Sequence, residues 1–315
     1  MRAAVFDRFG PPDVLHLAEL PDPAPAAGEI LVRVRAAGVQ PFDVAVRQGR
    51  MPWVKATFPH QIGQEYAGEV AALGDGVTGF AVGDEVLGST MLNGAAELLT
   101  VPAANAVPKP ANLDFTTAAA FVAAAQTAAG ALFDLGVVDS PTDGLGRLTD
   151  HAEKDVLLIH ACAGSVGTVA AQLARLAGVT VIGTASPGNH AYLESLGVVP
   201  VQYGPDLVAG IRATGLRPTV ALDAAGGEAI AQSIEAGVAP ERVGTIVDDK
   251  AAAEHGASLV RSGRSPERLA AVIALAAEGR IRMPVQSWAF EDIVGAHTAV
   301  ESRHVRGKTV LSINP

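Results

Sequence analysis

DVLLIHACAGSVGTVAAQLARLAG, residues 155–178, decides the fold. Its first seven residues form a near-continuous apolar run, as expected of a parallel strand buried on both faces. After a glycine-rich turn, apolar residues recur at spacings of three and four, which predicts an amphipathic helix closed by Gly178 as C-cap. Within the turn, Gly164 and Gly167 stand at the second and third glycine positions of a dinucleotide fingerprint, and Cys162 falls on the first. The second position needs bare backbone so that a pyrophosphate can approach. The third allows close packing of helix on strand. Ser165 and Val166, between them, open a helix whose free N–H groups and partial positive charge suit an anion.

Cys162 is the only cysteine. A nucleophilic thiol needs a base, and strand geometry would point His160, two residues earlier, to the same face. A bound pyrophosphate would compete for the same helix terminus. Small-residue packing is therefore the expectation for Cys162.

Downstream, strands VTVIGTA, PVQY, PTVALDAAG, RVGTIVD and IRMPVQSWAF alternate with helical segments such as DLVAGIRATG and SPERLAAVIALAAEG. Such alternation predicts an α/β architecture, a Rossmann-type doubly wound parallel sheet. Upstream, residues 1 to 110 hold short β-like runs separated by turn residues. In ILVRVRA, Ile30, Val32 and Val34 share one face and Leu31, Arg33 and Arg35 the other, a half-buried strand of a small mostly-β domain. The alanine-rich stretch Thr116 to Leu135 predicts a helix with no breaker before Gly130. The polar segment 139–155 reads as a long exposed insertion. The tail FEDIVGAHTAVESRHVRGKTVLSINP adds a helix and a last strand that return to the first domain. The expected domains are 1–125 with 287–315, and 126–286.

The 315 residues are 49% hydrophobic and 18% charged, with a formal charge of −10. An acidic chain of this kind argues against a nucleic-acid or anionic-membrane partner. One cysteine excludes an internal disulfide. Without the apolar core of a signal peptide in MRAAVFDRFG, or an uncharged apolar run of about 20 residues, a cytoplasmic protein is expected.

The end of the second strand of such a fold selects between NAD and NADP. NAD sites place an acid there for the ribose 2′-hydroxyl. Here the stretch is GTASPGNHAY, with no acid before Glu194. Its absence, together with Thr184, Ser186, Asn189 and His190, favours NADPH. His190 is the one potential cation of this stretch, so NADPH binding is expected to tighten as the pH falls.

The combination of AAGVQPFDVAVRQG, FPHQIGQEYAGEV, VTGFAVGDEV, VPKPANLDFTTAAA, HACAGSVG, DAAGG and VRGKTVL resembles the medium-chain dehydrogenase/reductase superfamily, in its zinc-independent quinone oxidoreductase-like branch. The resemblance runs from Met1 to Pro315. It implies a GroES-like β-domain, a Rossmann-type cofactor domain, hydride transfer in a cleft between them, and a dimer. Zinc-dependent relatives bind their metal through Cys and His where this chain has Gln40 and Gln64, so no metal site is expected. His60 and Glu65 remain as a pair more simply explained by hydrogen bonding.

Hydride transfer from NADPH to a quinone or an α,β-unsaturated carbonyl suits such a site, because alignment and oxyanion stabilisation do most of the work. A biosynthetic enoyl-thioester reductase, or a non-catalytic NADPH-binding protein, is the alternative. The resemblance places Gln40 against substrate or nicotinamide ribose and Tyr66 at the cleft. Asp43 shares that catalytic region, although pairing with Arg47 is its simpler role. It places Thr127 at the nicotinamide carboxamide, Tyr203 near the 2′-phosphate, and Ala224 and Ile246 along the cofactor. Met51 and Trp53 would give the substrate an apolar wall.

Overall fold

The computed structural model describes residues 1–140, 155–261 and 263–314. The insertion read at 139–155 lies, but for its ends, outside the described residues. The chain divides into two compact units, Met1–Ala123 with Met283–Pro315, and Ala124–Arg282.

The first unit begins with β1 (Arg2–Phe6), β2 (Leu15–Glu19), β3 (Glu29–Val39), α1 (Pro41–Arg47) and β4 (His60–Gln61). It continues with β5 (Glu65–Leu73), β6 (Glu85–Ser89), β7 (Leu98–Pro102) and β8 (Ala106–Pro108). β3 is the strand around which this unit is built. Ile30, Val32 and Val34 are fully buried while Arg33 is exposed, the alternation demanded by a period of two. β3 pairs antiparallel with both β5 and β7, and β1 lies between β2 and β4 in a small separate sheet.

α2 (Phe115–Asp134) starts where the Asp114 carboxylate accepts the Thr117 N–H at 2.7 Å, and it runs through Gly130 without a break. Its 20 residues meet the length and mean hydropathy of a bilayer-crossing helix, yet with Asp134, Gln126 and three threonines they are not an uncharged apolar run. Of its apolar window, 78% is buried inside the fold, where alanine side chains permit close packing.

In the second unit come β9 (Val156–Ile159), α3 (Ser165–Leu176), β10 (Thr180–Ala185), α4 (His190–Ser195), β11 (Val199–Gln202) and α5 (Leu207–Ala213). β12 (Val220–Asp223), α6 (Ala229–Glu235), β13 (Val243–Thr245), α7 (Asp249–His255), β14 (Ser258–Leu259) and α8 (Pro266–Ala277) complete it. The six strands are parallel in the order β11-β10-β9-β12-β13-β14. That is the doubly wound order, with its direction reversing between β9 and β12. Leu157, Leu158 and Ile159 of β9 are fully buried, as a central parallel strand requires.

The sequence reading placed IRMPVQSWAF in this parallel sheet, and here the structure differs. Its strand, β15 (Val285–Ala289), pairs with β16 (Lys308–Ser312) in the first unit, and α9 (Ile293–Glu301) connects them. Gln286 and Ser287 are exposed, which suits an edge strand and not one covered on both faces. The sixth parallel strand is instead β14, two residues long, too short to leave a sequence pattern.

Candidate active site

In the second unit, the site grows from the turn after β9. Ala161 takes a positive φ of 54°, which ends the strand alternation one residue before Cys162. His160 and Cys162 therefore part, against the expectation that they share a face. His160 Nε2 lies 2.8 Å from the Ser233 hydroxyl, on α6. Burial holds its pKa down at about 4, with Asp223 opposing. The Cys162 sulfur faces β10, where a Cβ on Gly183 would come within 2.7 Å of it. Burial pushes the thiol up to about 12, so it stays protonated and inert.

The two glycines of the turn do different work. A Cβ on Gly167 would meet the Ala161 carbonyl oxygen at 2.6 Å and Cys162 Cα at 2.6 Å, so close packing of α3 on the turn requires glycine. Gly164, the N-cap of α3, has φ −76°, and a Cβ there would meet only the Ala161 oxygen, at 3.3 Å. That contact is tight but well short of the clash at Gly167, so packing demands glycine less strictly here. Bare backbone at Gly164, beside Ser165 and Val166, fits a pyrophosphate cradle.

Thr184 is buried, and its hydroxyl accepts the Ala161 N–H at 3.1 Å while its carbonyl accepts the Cys162 N–H at 3.0 Å. The expectation that it touches cofactor is corrected: it positions the glycine turn. Ser186, Asn189 and His190 follow β10 and are partly exposed. Asn189 Nδ2 donates to the Ser186 hydroxyl at 3.2 Å, and His190 Nε2 lies 3.4 Å from the Ala185 carbonyl oxygen. Tyr203 is 55% exposed just beyond β11, Ala224 and Ile246 follow β12 and β13, and Thr127 is half-buried on α2. Gly164 to Gly167, Ser186, Asn189, His190, Tyr203, Ala224 and Ile246 thus lie at the carboxyl ends of the parallel strands, where doubly wound folds bind ligands.

Sequence reasoning missed Asp223 and Thr245. The Asp223 carboxylate accepts the N–H groups of Ala225 and Gly226, each at 2.8 Å, and the Thr245 hydroxyl at 2.7 Å. The pair fixes the loops that carry Ala224 and Ile246. Its signal was the aspartate opening DAAGG.

In the first unit, Gln40 is the N-cap of α1, and its Nε2 donates to Gln64 Oε1 at 2.7 Å. Asp43 Oδ2 accepts the Gln40 N–H at 2.9 Å. It does not pair with Arg47, whose buried guanidinium bonds Glu301 at 2.6 Å and the Gly10 carbonyl at 2.9 Å. Reaching back to its own helix terminus makes Asp43 a cap. Burial raises its carboxyl to about 7, against the lowering effect of the Gln40 hydrogen bond and the Lys308 charge. Tyr66, expected at the cleft, is a fully buried core residue packed with Val70 and Val86, and burial raises its phenol. The catalytic expectation for it does not hold.

Residues 26–111 match the family model of the alcohol dehydrogenase GroES-like domain, and residues 200–311 that of the zinc-binding dehydrogenases. The solved quinone oxidoreductase of Coxiella burnetii is 30% identical with a TM-score of 0.85, over 100% of this chain and 99% of that one. The chain belongs to the medium-chain dehydrogenase/reductase superfamily, as a quinone oxidoreductase-like member. A solved NAD-dependent alcohol dehydrogenase is also 30% identical, with a TM-score of 0.84 and full coverage of both chains. The mouse synaptic vesicle membrane protein VAT-1 homolog-like is 35% identical over 195 residues, 62% of this chain and 43% of that protein. The chain spans about half the length of the curated relatives it matches.

The donor set of this superfamily member does not fit the zinc that one family description names. Gln40 and Gln64 bond to one another, Glu65 is ion-paired with Lys308 and accepts the Ala123 N–H at 2.6 Å, and the His60 ring packs on Phe6 at 5.4 Å. Neutral amides are poor ligands for a tetrahedral zinc, which favours thiolate and imidazole. Among the described residues, no group of three His, Cys, Asp or Glu side chains is arranged to hold a metal.

Proposed function

We propose that this protein is a zinc-free oxidoreductase that uses NADPH to reduce a quinone or an α,β-unsaturated carbonyl. The observation that carries the reading is the hydrogen-bonded Gln40–Gln64 pair, standing where metal-binding relatives need charged or imidazole donors. When bound, NADPH supplies a hydride; with one proton from water, a quinone becomes a hydroquinone and NADP⁺ is released.

Gly164 to Gly167 receive the pyrophosphate on bare backbone and the α3 N-terminus. Ser186, Asn189, His190 and Tyr203 receive the 2′-phosphate, where no carboxylate opposes it. Ala224 and Ile246 line the nucleotide, and Thr127 orients the carboxamide. Gln40 has a second amide N–H to direct at the acceptor oxygen, and Asp43 positions Gln40 by holding the first turn of α1.

Consumption of NADPH and of NADH, measured across a panel of quinones, enones and enoyl thioesters, tests the proposal. NADPH oxidation with quinones or enones is expected. Tight NADPH binding without turnover of any acceptor would favour a binding protein, and a preference for NADH would overturn the cofactor assignment.

A further inference from the structure

Residues 44–64 depart from the rest of this acidic chain. They carry Arg47, Arg50 and Lys55 and no aspartate or glutamate, in a protein of net charge −10. Arg47 is buried and neutralised by Glu301. Arg50 and Lys55 are exposed. Arg50 Nε donates to Gln48 Oε1 at 2.6 Å, and Lys55 has no ion-pair partner among the described residues. Two exposed cations therefore stand on a segment without acids of its own, and the one carboxylate seen to reach it, Glu301, is engaged by Arg47 and by Gln48, the acceptor of the Arg50 hydrogen bond.

Between them lies Trp53, 61% exposed, an unusual placement for the largest aromatic side chain. Its indole stacks on Phe42 with ring centroids 5.4 Å apart and planes 30° from parallel. Phe42 in turn packs on the core of the unit. One face of the indole is thus held by a ring anchored in the fold, and the other is open. Phe42 lies two residues after Gln40, and Gln64 Nε2 contacts the sulfur of Met91, itself 64% exposed, at 3.7 Å. The amide pair is therefore flanked by exposed apolar side chains.

From this juxtaposition we infer that the acceptor is a fused-ring aromatic quinone carrying an anionic substituent, its ring stacked on Trp53 and its anion met by Arg50 and Lys55. A flat π-system suits an indole face already fixed from behind. A carboxylate or sulfonate suits exposed cations that form no ion pair among the described residues, and in an otherwise acidic protein such a patch raises affinity for anions selectively. The inference rests on the quinone reading, but binding can be measured without turnover.

Equilibrium dialysis of the full chain, without cofactor, should show anthraquinone sulfonate binding about tenfold more tightly than neutral hydroxymethyl anthraquinone. Arg50→Gln with Lys55→Gln should shrink that preference to about twofold or less. Raising the ionic strength from about 0.05 to about 0.5 M should weaken the sulfonate and leave the neutral compound unmoved. In a Trp288→Phe background, where Trp53 is the remaining tryptophan, both ligands should quench its fluorescence.

Equal affinities for the two anthraquinones in the wild-type chain would overturn the inference, and so would a dimer that shields Trp53 from acrylamide and from both ligands. Turnover of neutral quinones without preference for the anion would also overturn it while leaving quinone reduction standing. Preference for the sulfonate with no turnover of any quinone would sink the reductase reading and overturn the ligand's role as acceptor, leaving a binding site for an anionic ring.

Discussion

Two neighbouring glycines give opposite predictions for the same substitution. Gly164→Ala adds a Cβ whose one close neighbour is the Ala161 oxygen at 3.3 Å, on a backbone with φ −76°. Alanine is a poorer N-cap than glycine, at a cost of about 0.5–1 kcal/mol, but it restricts the unfolded chain by a similar ~0.4–1 kcal/mol. With the tight contact on the Ala161 oxygen added, stability should fall by no more than about 1 kcal/mol. The new methyl occupies the approach to the α3 N-terminus, so one charge-assisted backbone hydrogen bond to pyrophosphate is lost, about 1.5–3 kcal/mol, or roughly ten- to a hundredfold in NADPH affinity.

Gly167→Ala instead drives a Cβ to 2.6 Å from two backbone atoms that cannot rotate away. Overpacking of that kind costs ~2–3 kcal/mol, roughly 5–10 °C in Tm for a unit of this size. Thermal unfolding followed by circular dichroism, with NADPH titration by fluorescence enhancement, separates the two effects. A Gly164→Ala protein that binds NADPH like wild type, or that loses as much Tm as Gly167→Ala, would refute the assignment of the bare backbone to a pyrophosphate.

Cys162→Ala should leave turnover within about twofold of wild type, because the thiol is protonated and enclosed; a hundredfold loss with NADPH affinity intact would restore the thiol to the mechanism. Asp43 is buried with a carboxyl raised to about 7, so the folded state keeps a proton that the unfolded chain releases. Its contribution is complete below the unfolded pKa and is lost as pH rises toward 7, by about 2–4 kcal/mol, and Asp43→Asn should remove that loss in urea unfolding compared at about pH 5 and about pH 7. His160, and His297 buried on α9, are held by burial at about 4 and about 3 and act in the opposite sense: their contribution is present above the ordinary histidine range and is lost as pH falls from there through those values. His190→Ala is expected to weaken NADPH more than NADH in fluorescence titrations, because the 2′-phosphate is the group it meets; equal losses for the two cofactors would remove His190 from the site.

Local pattern alone determined much of this protein. The apolar run of β9, the spacing of α3 and the glycines between them are neighbours in sequence, and periodicities of 2 and 3.6 record burial directly. The alternation of β3 and the limits of α2 were legible for the same reason. The position of Thr184 along the chain could not reveal that its hydroxyl is spent on Ala161, nor that Cys162 fills the space left by Gly183. Tyr66 reads alike in a core and at a cleft until its neighbours are known. The partners of Arg47 and Glu65, Glu301 and Lys308, lie more than 200 residues away along the chain, returned by α9 and β16. Such pairings are set by which strand joins which sheet, and chain order does not encode that choice: β15 pairs with β16 at a sheet edge of the other unit, where Gln286 and Ser287, on opposite faces of the strand, both stay exposed.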